Sequence, residues 1–345
     1  SQFVEKVVIS ILDSKSGVVE LDSTGLSKED IKLIGRLIEK PHGIVLDTGP
    51  TGSGKSSTLY AMINAIKSPT INIITLEDPI EYEITGVTQV AINEKTGLTF
   101  AYGLRSILRQ DPDVVMVGEI RDNETATIAI QASLTGHLVL STLHTNDTIS
   151  SIVRLRDIGV PSYLIASSLN GIIAQRLARR ICADCKEPYV PSLSELKNLG
   201  LTDKKGYTFF HGKGCQKCST TGYKGRVGIF EVMVVDAGIK ELIRTDATEG
   251  VLKKEAMAKG MKLLKEDGIN KALAGLTTIE ELMRILYVEE QEETKECPNC
   301  SEKLQENITV CPKCGHKLKD VCPSCKKDID PAWTFCSSCG EKLTL

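Results

Sequence analysis

Gly49-Pro50-Thr51-Gly52-Ser53-Gly54-Lys55-Ser56 decides how this 345-residue chain is read. The octapeptide fits G-x-x-x-x-G-K-[ST], in which glycines let the backbone curl until its N–H groups point at phosphate oxygens. Gly43-Ile44-Val45-Leu46 before it reads as a short buried strand, and residues 57–67 after it read as a helix. An anion cradled there lies at a helix N-terminus, where unpaired N–H groups and the helix dipole favour negative charge. Lys55 is expected to reach the β- and γ-phosphates, and the Ser56 hydroxyl to sit on Mg²⁺. Gly49, Thr51, Gly52, Ser53, Gly54, Lys55, Ser56 and Ser57 are therefore the candidate residues for holding ATP and its Mg²⁺.

Outward from this loop, apolar runs at 44–46, 71–76, 114–117 and 138–140 alternate with helical patterns. That alternation predicts an α/β fold, a parallel sheet covered by helices on both faces. Residues 27–40 read as an amphipathic helix with Ser27 and Asp30 spaced as a capping box. Asn146 or Asp147 is placed to cap the helix after the run at 138–140. Helical periodicity returns over residues 238–288, and Glu289-Glu-Gln-Glu-Glu-Thr-Lys-Glu reads as a charged linker.

Hydrolysis of a triphosphate needs Mg²⁺ held by acidic groups and a water positioned for in-line attack. Asp113-Val-Val-Met-Val-Gly-Glu119 is a buried strand ending in a carboxylate, which suits a Walker B element. The strands of such a sheet deliver their C-terminal ends to one crevice, so Glu119 is expected to face the Lys55 loop. Thr75-Leu-Glu-Asp-Pro-Ile-Glu81 is a second acidic cluster at a strand end, stopped by Pro79, and Glu77 is the candidate base for the attacking water. Gly136-His-Leu-Val-Leu-Ser-Thr-Leu-His144 carries two histidines, His137 and His144, expected to sense or clamp phosphate rather than act as bases.

In this order the elements resemble the secretion ATPase superfamily, and are most similar to the type II secretion and type IV pilus-assembly motors. The resemblance is carried by the P-loop, by Glu77-Asp-Pro-Ile-Glu81 (the Asp box), by residues 104–122 and by Thr135-Gly-His-Leu-Val-Leu-Ser-Thr-Leu-His-Thr-Asn146 (the His box), and it covers roughly residues 5–288. It implies a RecA-like core in a hexameric ring of identical subunits, with ATP sites completed between neighbours. It also implies an inner-membrane platform protein as partner, and a cytoplasmic place at the inner face of the membrane. Arg105, Arg109, Arg154 and Arg226 fall where family arginines line domain and subunit contacts. Three departures stand out. The family's preceding domain is reduced to its last strand, at 5–12, as expected of a piece cut from a longer polypeptide. Ser10 replaces an arginine within that strand. Asp47 stands two residues before Gly49, where the family is apolar. A carboxylate near triphosphate repels it, at a cost on the order of 1 kcal/mol, unless it is paired or turned away. The departures keep open an alternative, a subunit of such a system that binds ATP but hydrolyses it weakly.

All twelve cysteines lie in C-x-x-C pairs, which together with a nucleotide motif favours reduced thiolates holding metal over a disulfide framework. Cys182-Ala-Asp-Cys185 and Cys215-Gln-Lys-Cys218 supply four thiolates for a closed, structural Zn²⁺ site. Such knuckles also occur in the assembly-type relatives and are usually missing from retraction-type ones. Cys297, Cys300, Cys311 and Cys314 are followed by Cys322, Cys325, Cys336 and Cys339, the same spacing 25 residues on. This tail resembles a double zinc ribbon, in which the metal would supply most of the folding energy; rubredoxin-like iron is the alternative metal. Its seven lysines, six acids and lack of arginine argue against a nucleic-acid footprint and for a docking module with a protein partner. The expected organisation is a remnant of a preceding domain at 1–15, the ATPase core at 16–180, a zinc-binding subdomain with four cysteine ligands at 181–230 and a helical part at 231–288. A linker at 289–296 and the double ribbon at 297–345 follow. A net charge of −3 shows no bias towards polyanions, and no stretch approaches the 18 apolar residues of a membrane span.

Overall fold

The computed structural model describes residues 20–201 and 206–286. In the tail it describes residues 295–297, 299–300, 303–304, 311, 313–316, 322, 324–325, 334–335 and 339–342. The expected strand at 5–12, Ser10 and the remnant at 1–15 lie outside the described residues, as do Cys336 and most of the linker. The chain divides into two compact units, residues 1–288 and residues 289–345.

In the larger unit, α1 (Lys28–Ile38) precedes β1 (Gly43–Thr48), α2 (Lys55–Ile66), β2 (Ile73–Glu77), β3 (Thr88–Ala91), α3 (Phe100–Ile107) and β4 (Val114–Val117). There follow α4 (Asn123–Leu134), β5 (Leu138–Leu143), α5 (Thr148–Asp157), α6 (Ser162–Ser168) and β6 (Leu169–Ile181). The cysteine-bearing excursion carries β7 (Lys186–Tyr189), α7 (Leu193–Asn198) and β8 (Phe209–Gly212). The chain then returns as β9 (Tyr223–Val234) and closes with α8 (Ala237–Arg244), α9 (Glu249–Ala258), α10 (Leu264–Leu273) and α11 (Ile279–Leu286).

Seven strands form one sheet in the order β3-β2-β4-β5-β1-β6-β9, parallel except for β9, which runs antiparallel to β6. Every residue of β1 and β5 is buried, which is why both read as unbroken rather than alternating apolar runs. One face packs Ile44, Leu46, Val115 and Val139 against helices that include α4 and α5. The other packs Val45, Met116 and Leu140 against Leu59, Tyr60 and Met62 of α2 and Leu37 of α1. A third cluster, with Phe209, Ile229, Leu264 and Leu282, joins the excursion to α10 and α11.

Ser27 caps α1 by accepting from Asp30 N at 3.1 Å, while its hydroxyl donates to the Asp30 carboxylate at 2.6 Å. Asp147, rather than Asn146, caps α5. β9 departs from the sequence expectation, which gives residues 181–230 to a zinc-binding subdomain, and its partner β6 is not among the expected strands. Both are strands of the main sheet, and the cysteine knuckles hang from their far ends. Their apolar pattern is hidden in sequence because Arg179, Arg180, Lys224 and Arg226 occupy the exposed end of the ribbon.

Candidate nucleotide site and metal centres

β1 ends at Thr48 and the chain turns through residues 49–54 into α2, whose N-cap is Gly54 at φ 96°. The turn lies flat on β6. A Cβ on Gly49 would stand 2.4 Å from the Gln175 carbonyl oxygen, and one on Gly54 2.7 Å from Gln175 Nε2. Both positions demand glycine because the backbone must approach β6 this closely. Gln175 is itself fixed by Thr58 of α2, whose hydroxyl donates to Oε1 at 2.7 Å. The Lys55 ammonium donates to the carbonyls of Gly49 (2.7 Å) and Pro50 (3.1 Å), so the lysine holds the curled loop from inside. Ser53 Oγ is buried without a hydrogen-bond partner among the described residues.

Across a cleft of about 850 Å³ from this loop stand the ends of β2, β4 and β5. Glu77 closes β2, and its carboxylate accepts from Thr75 Oγ1 at 2.5 Å, from Gln89 Nε2 at 3.0 Å and from the Tyr60 hydroxyl. Glu119 follows β4; Oε1 pairs with Arg121 Nη2 at 2.5 Å and Oε2 lies 3.5 Å from His144 Nε2. One strand, β5, separates the Lys55 strand from the Glu119 strand. Burial and the charge of Lys55 hold the His144 imidazole below its ordinary pKa. Burial also lowers the Lys55 ammonium, with Asp47 and Glu119 opposing the shift.

Thr51, Gly52, Ser53, Gly54, Lys55, Ser56 and Ser57 line the cleft with Glu77, Glu119 and His144. Gly49 shapes the loop from behind, against β6. His137 does not join them. It precedes β5, where Leu138 pairs with Gly43 at the start of β1, at the sheet edge opposite the P-loop. Its Nδ1 lies 2.9 Å from Ala132 O. A histidine at each end of one strand cannot share a site at one end of the sheet, so the phosphate contact expected of His137 does not fall in this cleft. Arg226 lines the cleft, Arg105 pairs with Glu124 at 2.7 Å on the surface, and Arg109 and Arg154 are exposed. Sequence reasoning missed Tyr60 and Arg121. The Glu-x-Arg spacing at the end of β4 was the available signal for Arg121; nothing local marked Tyr60.

The sulfur atoms of Cys182, Cys185, Cys215 and Cys218 all lie within 4.8 Å of one another, with closest pairs at 3.7, 3.8 and 3.9 Å. Four thiolates at about 2.3 Å from Zn²⁺ on a tetrahedron stand about 3.8 Å apart, so the donor set fits that ion. In the smaller unit, Cys297, Cys300, Cys311 and Cys314 gather in the same way, with pairs at 3.5 and 3.6 Å. Cys322, Cys325 and Cys339 form the described part of a third cluster.

A parallel sheet with a P-loop after β1, an acidic strand two places away and an excursion bearing four clustered cysteines defines a P-loop NTPase core with RecA-like strand placement. The chain belongs to the family described as type II/IV secretion system protein, whose model matches residues 1–284. A double zinc ribbon model matches residues 297–340. The type II secretion system protein E of Pseudomonas aeruginosa is 50% identical over 281 residues, covering 81% of this chain and 56% of that protein. The type IV pilus assembly ATPase PilB of Thermus thermophilus is 47% identical over 281 residues, 81% of this chain and 32% of that protein. The crystal structure of the pilus retraction motor PilT with bound ADP superposes at a TM-score of 0.59 and 32% identity, over 78% of this chain and 67% of that one. The chain thus spans about half the length, or less, of these two curated relatives.

Proposed function

We propose that this chain binds and hydrolyses Mg-ATP as a ring-forming motor of type IV pilus assembly or type II secretion. One observation carries the proposal: Lys55 and Glu119 meet across a single cleft that also receives Glu77 and His144. The loop N–H groups and Lys55 would bind the phosphates, and Ser56 with Glu119 would hold Mg²⁺. When bound, that ion would offset the charge of the phosphates. Glu77 would accept a proton from the attacking water, its carboxylate oriented by the donors already described. His144 would bear on the phosphates from the end of β5. Arg226, or an arginine of a neighbouring subunit, would bear on charge developing in transfer.

The expected setting is a homohexamer working with a platform protein at the cytoplasmic face of the inner membrane. Among the described residues no helix is long and apolar enough to cross a membrane. The three four-cysteine groups would hold Zn²⁺, and the double ribbon would dock a further protein. The second reading, an ATP-binding subunit with weak turnover, is favoured by Asp47, a carboxylate fully buried in the strand that leads to the P-loop.

The deciding experiment is Mg-dependent ATP hydrolysis across a wide range of protein concentration, with Lys55→Ala as blank. Specific activity that rises with concentration supports sites completed between subunits. Activity at the level of the blank, with ATP still bound, moves the binding-only reading ahead. Turnover retained in the Lys55 variant would sink the assignment of the loop.

A further inference from the structure

Asp47 lies inside the sheet, paired in register with Thr142 of β5 on one side and Ile173 of β6 on the other. Side chains alternate along a strand, so it shares the face of Val45, which α2 covers. The residue is 0% exposed, and among the described residues no well-formed hydrogen bond reaches either carboxyl oxygen. The charge of Lys55 and, to a lesser degree, the Thr48 N–H act in favour of its ionised form. Leu37 of α1 and Phe230 of β9 are apolar neighbours on this face, with the buried Lys271–Asp267 pair packed on Phe230. The charged groups bearing on Lys55 itself are Asp47, Glu119 and Arg176, with His144 and Arg121 further round the same cleft.

We infer that Asp47 is a positioning residue that couples nucleotide binding to uptake of a proton. It shares the charge of Lys55 until phosphate claims that charge, and it then becomes the neutral acid. The inference rests on the nucleotide assignment of the cleft. Phosphate draws on the cation that favours the Asp47 carboxylate and adds negative charge beside it; both effects favour the protonated form. Burial already pushes this carboxyl well above the ordinary carboxylate range. The repulsion expected from the sequence is then relieved by protonation, since no pairing relieves it. The sign follows from linkage: the complex holds more protons than the free protein, so affinity falls as pH rises through the titration of the free site.

The test is calorimetric titration of Mg-ADP into the full chain, from mildly acidic to mildly alkaline pH, in buffers of differing ionisation enthalpy. Wild type is compared with Asp47→Asn, close in shape and without a titrating proton, and with Asp47→Val. Far-UV circular dichroism checks that each variant folds, and the valine variant serves if the amide is not tolerated. ADP's own titration is common to all three and cancels. Wild type should take up a further fraction of a proton per ADP bound. Its affinity relative to the variants should fall with pH, by up to about tenfold per unit. Equal proton uptake and parallel pH profiles in wild type and variants would overturn the role of Asp47 and leave the nucleotide site standing. Failure of all three folded proteins to bind ADP would overturn the nucleotide assignment and this inference with it.

Discussion

Glu119 and His144 stand 3.5 Å apart, carboxylate Oε2 to imidazole Nε2, one just past β4 and the other just past β5. The pairing raises the histidine's proton affinity, but burial and Lys55 outweigh it and the net shift is downward. The downward shift favours the neutral imidazole, which can accept or donate a hydrogen bond near phosphate without adding charge.

Removing the Glu119 charge takes away an influence that raises the His144 pKa. In Glu119→Gln the His144 ring should titrate lower still, and in Lys55→Ala higher, read by NMR of the imidazole protons. A midpoint unchanged in both variants would mean that the three groups do not share one field. The glutamine variant should also keep nucleotide binding while losing turnover by two orders of magnitude or so, as expected for a group acting at the reacting centre. Equal loss of binding would count against that role.

Much of this arrangement was legible in the sequence, because its signals are local. A P-loop needs glycines at fixed offsets, and the strands ending at Glu77 and Glu119 are short apolar runs closed by acids. What escaped depends on contacts distant in sequence. Tyr60 reaches Glu77 only because α2 lies across β2, and Gln175 forms the floor of the loop only because β6 pairs with β1. His137 misled for the opposite reason. It and His144 belong to one motif, yet a strand of six residues carries them to opposite edges of the sheet. The sequence registered Asp47 as an anomaly; that its carboxylate is wholly buried is a property of packing.

The excursion that carries Cys182, Cys185, Cys215 and Cys218 should depend on its metal. β7 and β8 form a two-stranded ribbon of four residue pairs, too small to persist by backbone pairing alone. Cys185→Ser should lower zinc content from about three ions per chain to about two, because four thiolates close each site. It should also lower the thermal midpoint by several degrees, as loss of a structural metal does. Metal analysis by mass spectrometry and calorimetry check both. Unchanged zinc content would mean that this cluster holds none, and iron in place of zinc would be read directly.

Glu281 fastens α11 to β6. Its carboxylate, with no exposed surface, accepts from Arg179 N (2.8 Å), Arg179 Nη2 (2.6 Å), Arg284 Nε (2.8 Å) and Arg284 Nη2 (2.9 Å). Burial alone would raise its pKa, but the hydrogen bonds from Arg284 and Arg179 win and hold it at about 2, against an ordinary 4.5. Because the folded value is depressed, the stabilisation is fully present above the unfolded value and is lost as pH falls towards about 2. Glu281→Gln leaves the two arginines facing a neutral amide and should cost roughly 3 kcal/mol at neutral pH. Urea denaturation should show the loss, and the variant's stability should fall less steeply than wild type's on acidification. A variant as stable as wild type at neutral pH, with the same acid dependence, would mean that α11 is held by Leu282 and its apolar neighbours alone.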